Sequence, residues 1–442
     1  MGLVHASWPQ MNDGLDSRRV AARAFADVMK RHRTLESALE AAPGFKQMEA
    51  RDRAFAWAIT ATSLRRAGQT EAVLANFLSK PLAETSNMAQ ALLITAATQL
   101  LWMGVPAHAA VSSTVDLAVE STETQRLKGL INAVLRKTAT EGAGFAIKTA
   151  PQSNLPDWMR ATWRKAYGPG RLSRIADAHL NSPPLDITVK NPKERDQWAL
   201  ELGARILPNG TLRRDEVGDI TILPGFAEGA WWAQDAAASI PATLIKARKD
   251  DHVVDLCAAP GGKTLQLAST GARVTAIDIS EQRLERVQQN LDRTGLVAKI
   301  RATDARGWTP KKPVDAVLLD APCTATGTLR RHPEAAWIKQ RSDMKGLIEL
   351  QHALIKSAIK MLKPGGKLVI CTCSLQPEEG EDIARKIRQH MSELDVSPIS
   401  HGEVPGLAEA ITPEGHLRLT PALWKEHGSM DGFFIARFIK RN

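Results

Sequence analysis

The stretch "VVDLCAAPGGKT", residues 253–264, decides the fold. Its apolar first half is typical of a buried β-strand, and its Pro-Gly-Gly turn leads into a segment that favours a helix. Glycine lets a backbone approach a ligand closely, and a helix begins with free N–H groups. The stretch is not a phosphate-binding P-loop, because Cys257 stands where that pattern requires glycine. It therefore predicts a ligand-binding strand–turn–helix, with an ordinary tight turn as the alternative.

Strands and helices alternate from about residue 250 onward. The segments with strand character are 252–256, 273–278, 298–304, 313–320, 367–374 and 433–439. The segments with helical character are 263–270, 280–295 and 347–366. This alternation predicts an α/β, Rossmann-like domain with a mostly parallel sheet, which binds its ligands at the carboxyl ends of the strands.

Aspartates end three successive strands of this predicted sheet: Asp278, Asp304 and Asp320. Such acids converge on one crevice, and an acid after the second strand is placed to accept hydrogen bonds from ribose hydroxyls. Each could instead cap the helix or turn that follows. The glycine turn has neither a phosphate cradle nor a G-x-G-x-x-G pattern. Together these features favour a nucleoside ligand without a phosphate, which points to S-adenosyl-L-methionine.

The first part of the chain is predicted to be helical. Residues 1–140 have the three- and four-residue apolar period of helices, and one of these helices is expected to end at Gly68. From 141 to about 165 the pattern turns irregular and predicts a linker.

A small α/β module is predicted between this helical part and the sheet domain. Strand-like pieces at 185–190 and 219–224 flank a helical 192–204. The domains expected from these patterns are 1–140, 141–235 and 236–442.

Length and composition narrow the class of protein. A chain of 442 residues with a net charge of +10 is long enough for two or three domains and favours polyanionic partners such as nucleic acid. No signal peptide is visible, and the longest apolar run, 89–104, is too short and polar to span a bilayer. Four cysteines at irregular spacing do not make a disulfide framework. A cytoplasmic protein with reduced thiols and no membrane association is expected. No dimer signature is visible, so a monomer is expected.

The cysteines are candidates for chemistry. Cys373 ends the 367–374 strand, and Cys323 follows Asp320 at the end of its neighbour, so both thiols could face one pocket, whereas Cys371 lies deeper. A thiolate is a soft nucleophile that can add to carbon-6 of a pyrimidine and make carbon-5 reactive toward a methyl donor. Core cysteines remain an alternative. A metal site lacks a C-x-x-C pair or a histidine cluster, so no metal is expected.

Four stretches carry a family resemblance: "DLCAAPGGKT" (255–264), "DAPCTATGTLRRHPE" (320–334), "TCSLQPEEGED" (372–382) and "DGFFIARF" (431–438). In order, they resemble the signature motifs of the Sun/Fmu (Nol/Nop/Sun) family of RNA cytosine-5 methyltransferases. Upstream stretches resemble the NusB-like domain that precedes the catalytic domain in the bacterial 16S rRNA member; they are 51–66, 99–118 and 129–137. The resemblance covers almost the whole chain.

The resemblance implies an S-adenosyl-L-methionine-dependent enzyme that methylates carbon-5 of a cytosine in RNA. The implied partner is 16S rRNA or a small-subunit particle, bound in part by the helical domain and the small module. Cys373 would attack carbon-6 and Cys323 would assist product release, with Asp320 and Lys263 completing the catalytic set. The residues expected to bind the cofactor are Cys257, Ala258, Ala259, Pro260, Gly261, Gly262, Lys263, Asp278, Arg283, Asp304 and Asp320.

The chain departs from the family pattern at four positions. Thr324 and Ala325 replace the common Ser and Gly, Gly380 replaces Asn, and Cys371 is a thiol at a commonly Ser position. None of these changes removes a catalytic group.

Two other functions and one surface role remain open at this stage. The NusB-like part is compatible with an RNA-binding assembly factor that has lost catalysis. An amine methyltransferase is disfavoured, because such enzymes have D/N-P-P-Y/F/W where this chain has residues 320–323. Basic residues 330–332 could meet phosphates or form a solvated turn.

Overall fold

The computed structural model describes residues 14–81, 86–216 and 218–442. Residues 1–13 and 82–85 of the predicted helical domain therefore lie outside the described residues. The helices are α1 (Gly14–Arg31), α2 (Leu35–Ala41), α3 (Ala50–Leu74), α4 (Asn87–Trp102), α5 (Ala107–Val119), α6 (Lys128–Lys148), α7 (Asp157–His179), α8 (Arg195–Glu201), α9 (Ala236–Ile245), α10 (Gly262–Ser269), α11 (Glu281–Thr294), α12 (Ala335–Ile338), α13 (Asp343–Met361) and α14 (Glu381–His390). The strands are β1 (Leu185–Val189), β2 (Arg205–Ile206), β3 (Leu212–Arg214), β4 (Trp231–Ala233), β5 (His252–Leu256), β6 (Arg273–Asp278), β7 (Ala298–Ala302), β8 (Val314–Asp320), β9 (Leu362–Thr372), β10 (Leu394–Val396), β11 (Leu417–Leu419) and β12 (Phe433–Lys440).

The large sheet has the order β10-β12-β9-β8-β5-β6-β7, with β11 paired to β12. Strands β5 to β9 run parallel, and β12 is antiparallel to β9. From β5 the chain builds outward through β6 and β7 and then returns to β8 on the other side. The carboxyl ends of β5 and β8 therefore form a switch point, where sheets of this kind bind ligands. The predicted α/β Rossmann-like fold with a helical first part is confirmed.

Helices cover both faces of this sheet, because alternate strand residues point to opposite sides. Val253, Leu318 and Val369 pack in one core layer with α9 and α10. Val254 and Val317 pack in the other with α13 and α14. Strands buried on both faces explain the unbroken apolar runs in the sequence.

The small sheet has the order β2-β3-β1-β4 and is antiparallel. A fully buried ion pair joins two of its strands, with Arg213 Nε 2.6 Å from Asp186 Oδ1. The strand predicted at 219–224 is wrong. Residues Ile220–Ile222 form a 3₁₀ turn, because the Asp219 side chain accepts hydrogen bonds from Thr221 and holds the backbone in a turn.

Two predictions for the helical part are wrong. Helix α3 does not end at Gly68 but continues to Leu74. Glycine is needed there for a different reason, since a Cβ atom on Gly68 would lie 1.8 Å from the carbonyl oxygen of Ser153. The linker predicted from 141 to about 165 is mostly helical, because α6 continues to Lys148 and α7 begins at Asp157.

The described chain forms two compact units, and one short segment within the second half of the chain belongs to the first unit. The helical unit comprises residues up to Asn181 together with Leu329–Gln340, and the other unit comprises the remainder. Within the helical unit, Trp337 Nε1 donates a hydrogen bond to the Leu64 carbonyl at 2.8 Å. Arg330 is buried, and its carbonyl accepts a hydrogen bond from Arg65, so the start of this segment is not a solvated turn. In the described ranges, none of the helices has the length and apolar character that crossing a bilayer requires.

Candidate active site

The carboxyl ends of β8 and β9 bring two of the four thiols together. Their parallel register pairs Asp320 with Cys371, so the loops that follow the two strands begin side by side. Cys323 Sγ lies 3.5 Å from Cys373 Sγ, and both side chains are half-buried. The structure thus places both predicted catalytic thiols at one point, while their separate roles stay a prediction.

Backbone contacts lock the two thiol loops to the C-terminal motif. The Gly327 N–H donates to the Cys373 carbonyl, and the Gly432 N–H donates to the Gly327 carbonyl, both at 2.8 Å. A Cβ atom on Gly327 would lie 2.0 Å from the Gly432 oxygen. Only glycine permits this approach, so the "DGFF" motif packs directly against the backbone of the two thiol loops.

A buried carboxylate that sequence reasoning missed also joins the two loops. Glu379 Oε2 accepts hydrogen bonds from the Thr324 hydroxyl at 2.5 Å and from the Ser374 hydroxyl at 2.6 Å. Thr324 follows Cys323, and Ser374 follows Cys373. The only signal in the sequence was the position of Glu379 within the "PEEG" part of a longer motif.

A lysine–aspartate pair lies between the glycine turn and the thiols. Lys263 Nζ is 2.7 Å from Asp320 Oδ2, and the buried Cys371 thiol donates to Asp320 Oδ1 at 3.3 Å. Burial lowers the pKa of Lys263, but the charge and hydrogen bond of Asp320, together with Cys371 and Asp255, outweigh burial and raise that pKa above its ordinary value. The lysine is therefore a fixed cation beside the acid.

The predicted cofactor loop wraps the end of β5 with small residues. Cys257 and Gly261 have positive φ angles of 60° and 107°, Ala258 and Ala259 are buried, and the turn continues through Pro260 into Gly262 at the start of α10. A Cβ atom on Gly261 would approach Val287 to 3.1 Å. Free N–H groups at the start of a helix suit a carboxylate such as that of an amino-acid moiety.

A buried acid lies beneath this loop. Thr264 Oγ1 donates to Asp255 Oδ2 at 2.6 Å, while Asp255 Oδ1 is buried and finds no hydrogen-bond partner among the described residues. Burial raises the pKa of Asp255 to about 7. An acceptor without a partner beside a small-residue loop fits the binding of a ligand that carries donors, such as S-adenosyl-L-methionine.

The other predicted cofactor residues flank the same strand ends. Asp278 Oδ2 accepts a hydrogen bond from the Ala259 N–H at 3.2 Å, and Arg283 donates to the Ala259 carbonyl at 2.7 Å, so both stabilise the loop directly. Asp304 does not end a strand as predicted but lies two residues past Ala302, the last residue of β7, and Arg306 pairs with its carboxylate at 2.6 Å. Asp278 is thus tied to the loop, whereas Asp304 is held by its own turn.

Burial and hydrogen bonding raise the pKa of three thiols at this end of the sheet. Burial raises the pKa of Cys257 to about 12 and raises that of Cys371 well above its ordinary value. The hydrogen bond with Cys373, and then burial, raise the pKa of Cys323 well above its ordinary value. The described residues contain no group of three or more His, Cys, Asp or Glu side chains that could hold a metal ion.

Comparisons with known proteins match both parts of the chain. Residues 242–439 match the family described as 16S rRNA methyltransferase RsmB/F, and residues 15–140 match the NusB family. The ribosomal RNA small subunit methyltransferase B of Salmonella paratyphi C (strain RKS4594) is 34% identical over 441 residues, which cover 96% of this chain and 98% of that protein. The protein of the same name from Klebsiella pneumoniae (strain 342) is 32% identical, covering 98% of this chain and all of that one.

Solved structures share the fold. A methyltransferase homologue from Pyrococcus horikoshii has a TM-score of 0.54 and 27% identity over 64% of this chain and 95% of its own. NSun6 from Pyrococcus horikoshii, solved with SFG, has a TM-score of 0.53 and 22% identity over 65% of this chain and 98% of its own.

The Rossmann-like sheet and the crevice at its switch point define an S-adenosyl-L-methionine-dependent methyltransferase. The match to a named rRNA methyltransferase along nearly the whole of both chains identifies the family within this class. The chain belongs to the ribosomal RNA small subunit methyltransferase B family. The family, the enzyme class and the cofactor expected from the sequence are confirmed.

Proposed function

We propose that this protein methylates carbon-5 of a cytosine in 16S rRNA, free or within a small-subunit particle, with Cys373 as the nucleophile. The observation that carries the proposal is the 3.5 Å separation of Cys323 Sγ and Cys373 Sγ beside the predicted cofactor loop. Two thiols are more than methyl transfer to an amine needs. Covalent catalysis on a pyrimidine uses a thiol to activate carbon-5 and benefits from a second group that assists release.

The assignment of Cys373 as the attacking group rests on its place in the "TCSLQPEEGED" stretch, which resembles the family motif that supplies the nucleophile. Cys257 and Cys371 are poorer candidates, because burial raises the pKa of both thiols and a protonated thiol is a poor nucleophile. The Cys323 thiol, which contacts Cys373, is suited to assist product release.

The cofactor, when bound, supplies a methyl group as a sulfonium electrophile. The Cys373 thiolate forms a bond to carbon-6, and the electron pair of the C5–C6 double bond makes carbon-5 nucleophilic. Carbon-5 would then take up the methyl group that the bound cofactor supplies, and the bonding electron pair would stay on the cofactor sulfur. Transfer of the carbon-5 proton to solvent water, or to Cys323 in its thiolate form, would restore the double bond and expel the Cys373 thiolate. Asp320, oriented by Lys263, would face N3 and the exocyclic amine of the base.

Residues of the loop would hold the cofactor. In this proposal, Asp278 contacts the ribose, Asp304 lies on the adenine side, and the backbone from Cys257 to Lys263 surrounds the methionine part. Arg283 keeps the loop in shape through its hydrogen bond to Ala259.

RNA binding by the helical part and the small module belongs to the same proposal, as does action as a monomer in the cytoplasm. On α7, four cations lie away from the buried face of the helix: Arg164, Lys165, Arg171 and Arg174. The structure pairs none of these four with a carboxylate from the described part of the chain. By contrast, Arg31 and Arg33 near the end of α1 both pair with Asp27. Unpaired surface cations suit phosphate contacts.

The test is methyl transfer from labelled S-adenosyl-L-methionine to 16S rRNA and to small-subunit particles. Wild type is compared with Cys373→Ala, Cys323→Ala and the control Cys371→Ser, and denaturing gels detect covalent protein–RNA adducts. Cys373→Ala should be inactive and free of adduct, Cys323→Ala should accumulate adduct, and Cys371→Ser should retain activity.

Other outcomes would contradict the proposal. An inactive, adduct-free Cys323→Ala variant would exchange the roles of the two thiols. Mass spectrometry that places the methyl group on an exocyclic nitrogen would exclude carbon-5 chemistry. Wild type that binds rRNA but transfers nothing would favour a non-catalytic assembly factor.

A further inference from the structure

Glu379 contacts the residues that follow both thiols through its carboxylate, and among the described residues it is the one charged side chain with hydrogen bonds to both. The hydroxyl of Thr326 also lies 3.5 Å from that of Thr324 and 3.2 Å from that of Ser374, so it belongs to the same cluster. Glu379 Oε1 accepts a hydrogen bond from the Thr324 N–H at 3.0 Å, in addition to the two hydroxyl donors at Oε2. Gln351 Nε2 lies 3.4 Å from Oε1 and also donates to the Pro322 carbonyl at 2.8 Å. The Glu379 side chain is 1% exposed. Glu379 thus ties the residue after Cys323 to the residue after Cys373, and Gln351 links the same carboxylate to the residue before Cys323.

We infer that Glu379 is a positioning residue that sets the separation and orientation of the two thiols. The inference rests on the proposed function for its catalytic meaning, but the geometry it predicts can be measured without catalysis. Glu379 does not touch the reacting atoms. It acts through Thr324 and Ser374, each of which is one residue away from a thiol.

The chemistry of the cluster requires a carboxylate. Every group aimed at Glu379 is a donor, and a carboxylate offers two acceptor oxygens and no hydrogen. Burial raises the pKa of Glu379, while the hydrogen bonds from Ser374 and Thr324 oppose that rise. A glutamine of nearly the same shape would aim an NH₂ group at one of these donors, so at least one contact would open.

The first readout is steady-state kinetics of full-length Glu379→Gln with 16S rRNA. The maximal rate should fall about 10- to 100-fold, because small displacements of reacting groups carry losses of this size. The KM values for rRNA and for S-adenosyl-L-methionine should stay within about twofold of wild type. Glu378→Gln is the matched control, because it makes the same change one residue earlier and should leave the rate unchanged.

The second readout reports thiol geometry directly. The cofactor-free protein is equilibrated with oxidised and reduced glutathione, and mass spectrometry quantifies the Cys323–Cys373 disulfide. In this reaction the disulfide bond of glutathione breaks, the protein disulfide forms, and both thiol protons pass to two molecules of reduced glutathione. Thiols held 3.5 Å apart need little movement to reach the bonded distance of about 2.05 Å. The equilibrium constant should fall at least tenfold in Glu379→Gln and stay unchanged in Glu378→Gln.

Ser374→Ala provides a second variant if Glu379→Gln fails to fold. It keeps the carboxylate and removes one donor beside Cys373, so smaller losses in the same direction should appear in both readouts. A disulfide equilibrium that stays at the wild-type value in folded variants would overturn the inference, even if the rate falls. If the equilibrium shifts as expected while wild type methylates no form of rRNA, the positioning role stands and the proposed function fails.

Discussion

Asp255 makes the stability of the cofactor-free protein depend on pH. Its pKa is raised from 3.8 to about 7 by burial, so its contribution to stability is fully present below pH 3.8 and is lost as pH rises through about 7. Asp255→Asn keeps an acceptor for Thr264 but does not titrate. Between pH 5.5 and 8 the free energy of unfolding of this variant should therefore rise by about 2 kcal/mol relative to wild type. Urea unfolding at both pH values measures this difference, and parallel behaviour of the two proteins would contradict it.

Ala325, where the family commonly has glycine, carries local backbone strain. Its φ of 55° lies in the left-handed region, which an L-residue with a Cβ atom adopts at a cost. Ala325→Gly should raise the free energy of unfolding by up to about 1 kcal/mol, less the extra entropy of glycine in the unfolded chain. The control Ala143→Gly, at an exposed helical site in α6, should lower it by about 1 kcal/mol. A thermal unfolding series measures both effects, and a loss at both sites would exclude strain at Ala325.

At the residue scale, the order of the motifs predicted which side chains lie in the crevice, but not which hydrogen bonds position them. The strand ends placed Cys323, Cys373 and Asp320 together because parallel strands end at one edge of the sheet. The role of Glu379 could not be predicted, because Thr324, which it contacts, lies 55 residues away in the sequence. Burial and hydrogen bonding of this kind leave no local pattern.

Gly68 is required by packing rather than by the end of a helix. Gly68→Ala gains helix propensity, but its Cβ would lie 1.8 Å from the Ser153 oxygen, so the free energy of unfolding should fall by roughly 1–3 kcal/mol. Gly144→Ala is the matched control, since it lies in α6 with no heavy atom within 4 Å of the added Cβ among the described residues. That control should gain about 1 kcal/mol. Denaturant unfolding compares the two, and stabilisation of both would show that the Ser153 contact relaxes at no cost.

The four cations of α7 yield a prediction about RNA binding. Replacing these cations with glutamine, at Arg164, Lys165, Arg171 and Arg174, should weaken rRNA binding. The slope of log K against log salt should become shallower by about 0.7–0.9 for each phosphate that the variant no longer neutralises. The KM for rRNA should rise while the maximal rate at saturating rRNA persists.

A matched variant removes the same number of charges from the amino-terminal side of the large sheet. It replaces exposed cations that precede β5 and β8, namely Arg248, Lys249, Lys311 and Lys312. This variant should keep the wild-type slope of log K against log salt, which filter-binding titrations measure for both variants. Equal weakening in both variants would assign the effect to net charge rather than to α7.

At the element scale, periodicity predicted the alternating strands and helices but failed where tertiary contacts decide. Helix α3 runs through Gly68, and the glycine is there because the carbonyl oxygen of Ser153, 85 residues along the chain, lies too close for a Cβ atom. The stretch from 141 to about 165 contains Gly and Pro, yet it folds mostly into α6 and α7, since Gly142 and Gly144 lie within α6 and Pro156 directly precedes the first turn of α7.

Trp337 should stabilise the helical unit although it follows the catalytic loop in the sequence. Its indole packs against the core formed by α1, α3 and α4. Trp337→Ala should lower the free energy of unfolding of this unit by at least about 2 kcal/mol. Hydrogen exchange should accelerate in α1 and α3 and stay slow in β5 and β8. Trp308→Ala, which removes a ring packed on the sheet core, should produce the opposite pattern.

At the scale of the whole molecule, the sequence predicted a helical part followed by a sheet domain. It did not predict that residues 329–340 belong to the helical unit. Nothing local distinguishes a segment that packs on one core from a segment that packs on the other, because both bury the same kinds of side chain.

The excursion of residues 329–340 means that no single cut of the polypeptide separates the two units. After cleavage between residues 181 and 182, the catalytic fragment would still contain residues 329–340, which complete the fold of the other fragment. The two pieces should therefore co-purify, as in a split protein that reassembles. For a gene, the same topology makes the helical part hard to gain or lose by simple fusion. Recombination at the boundary between residues 181 and 182 would leave a catalytic domain in which residues 329–340 have no core to pack against.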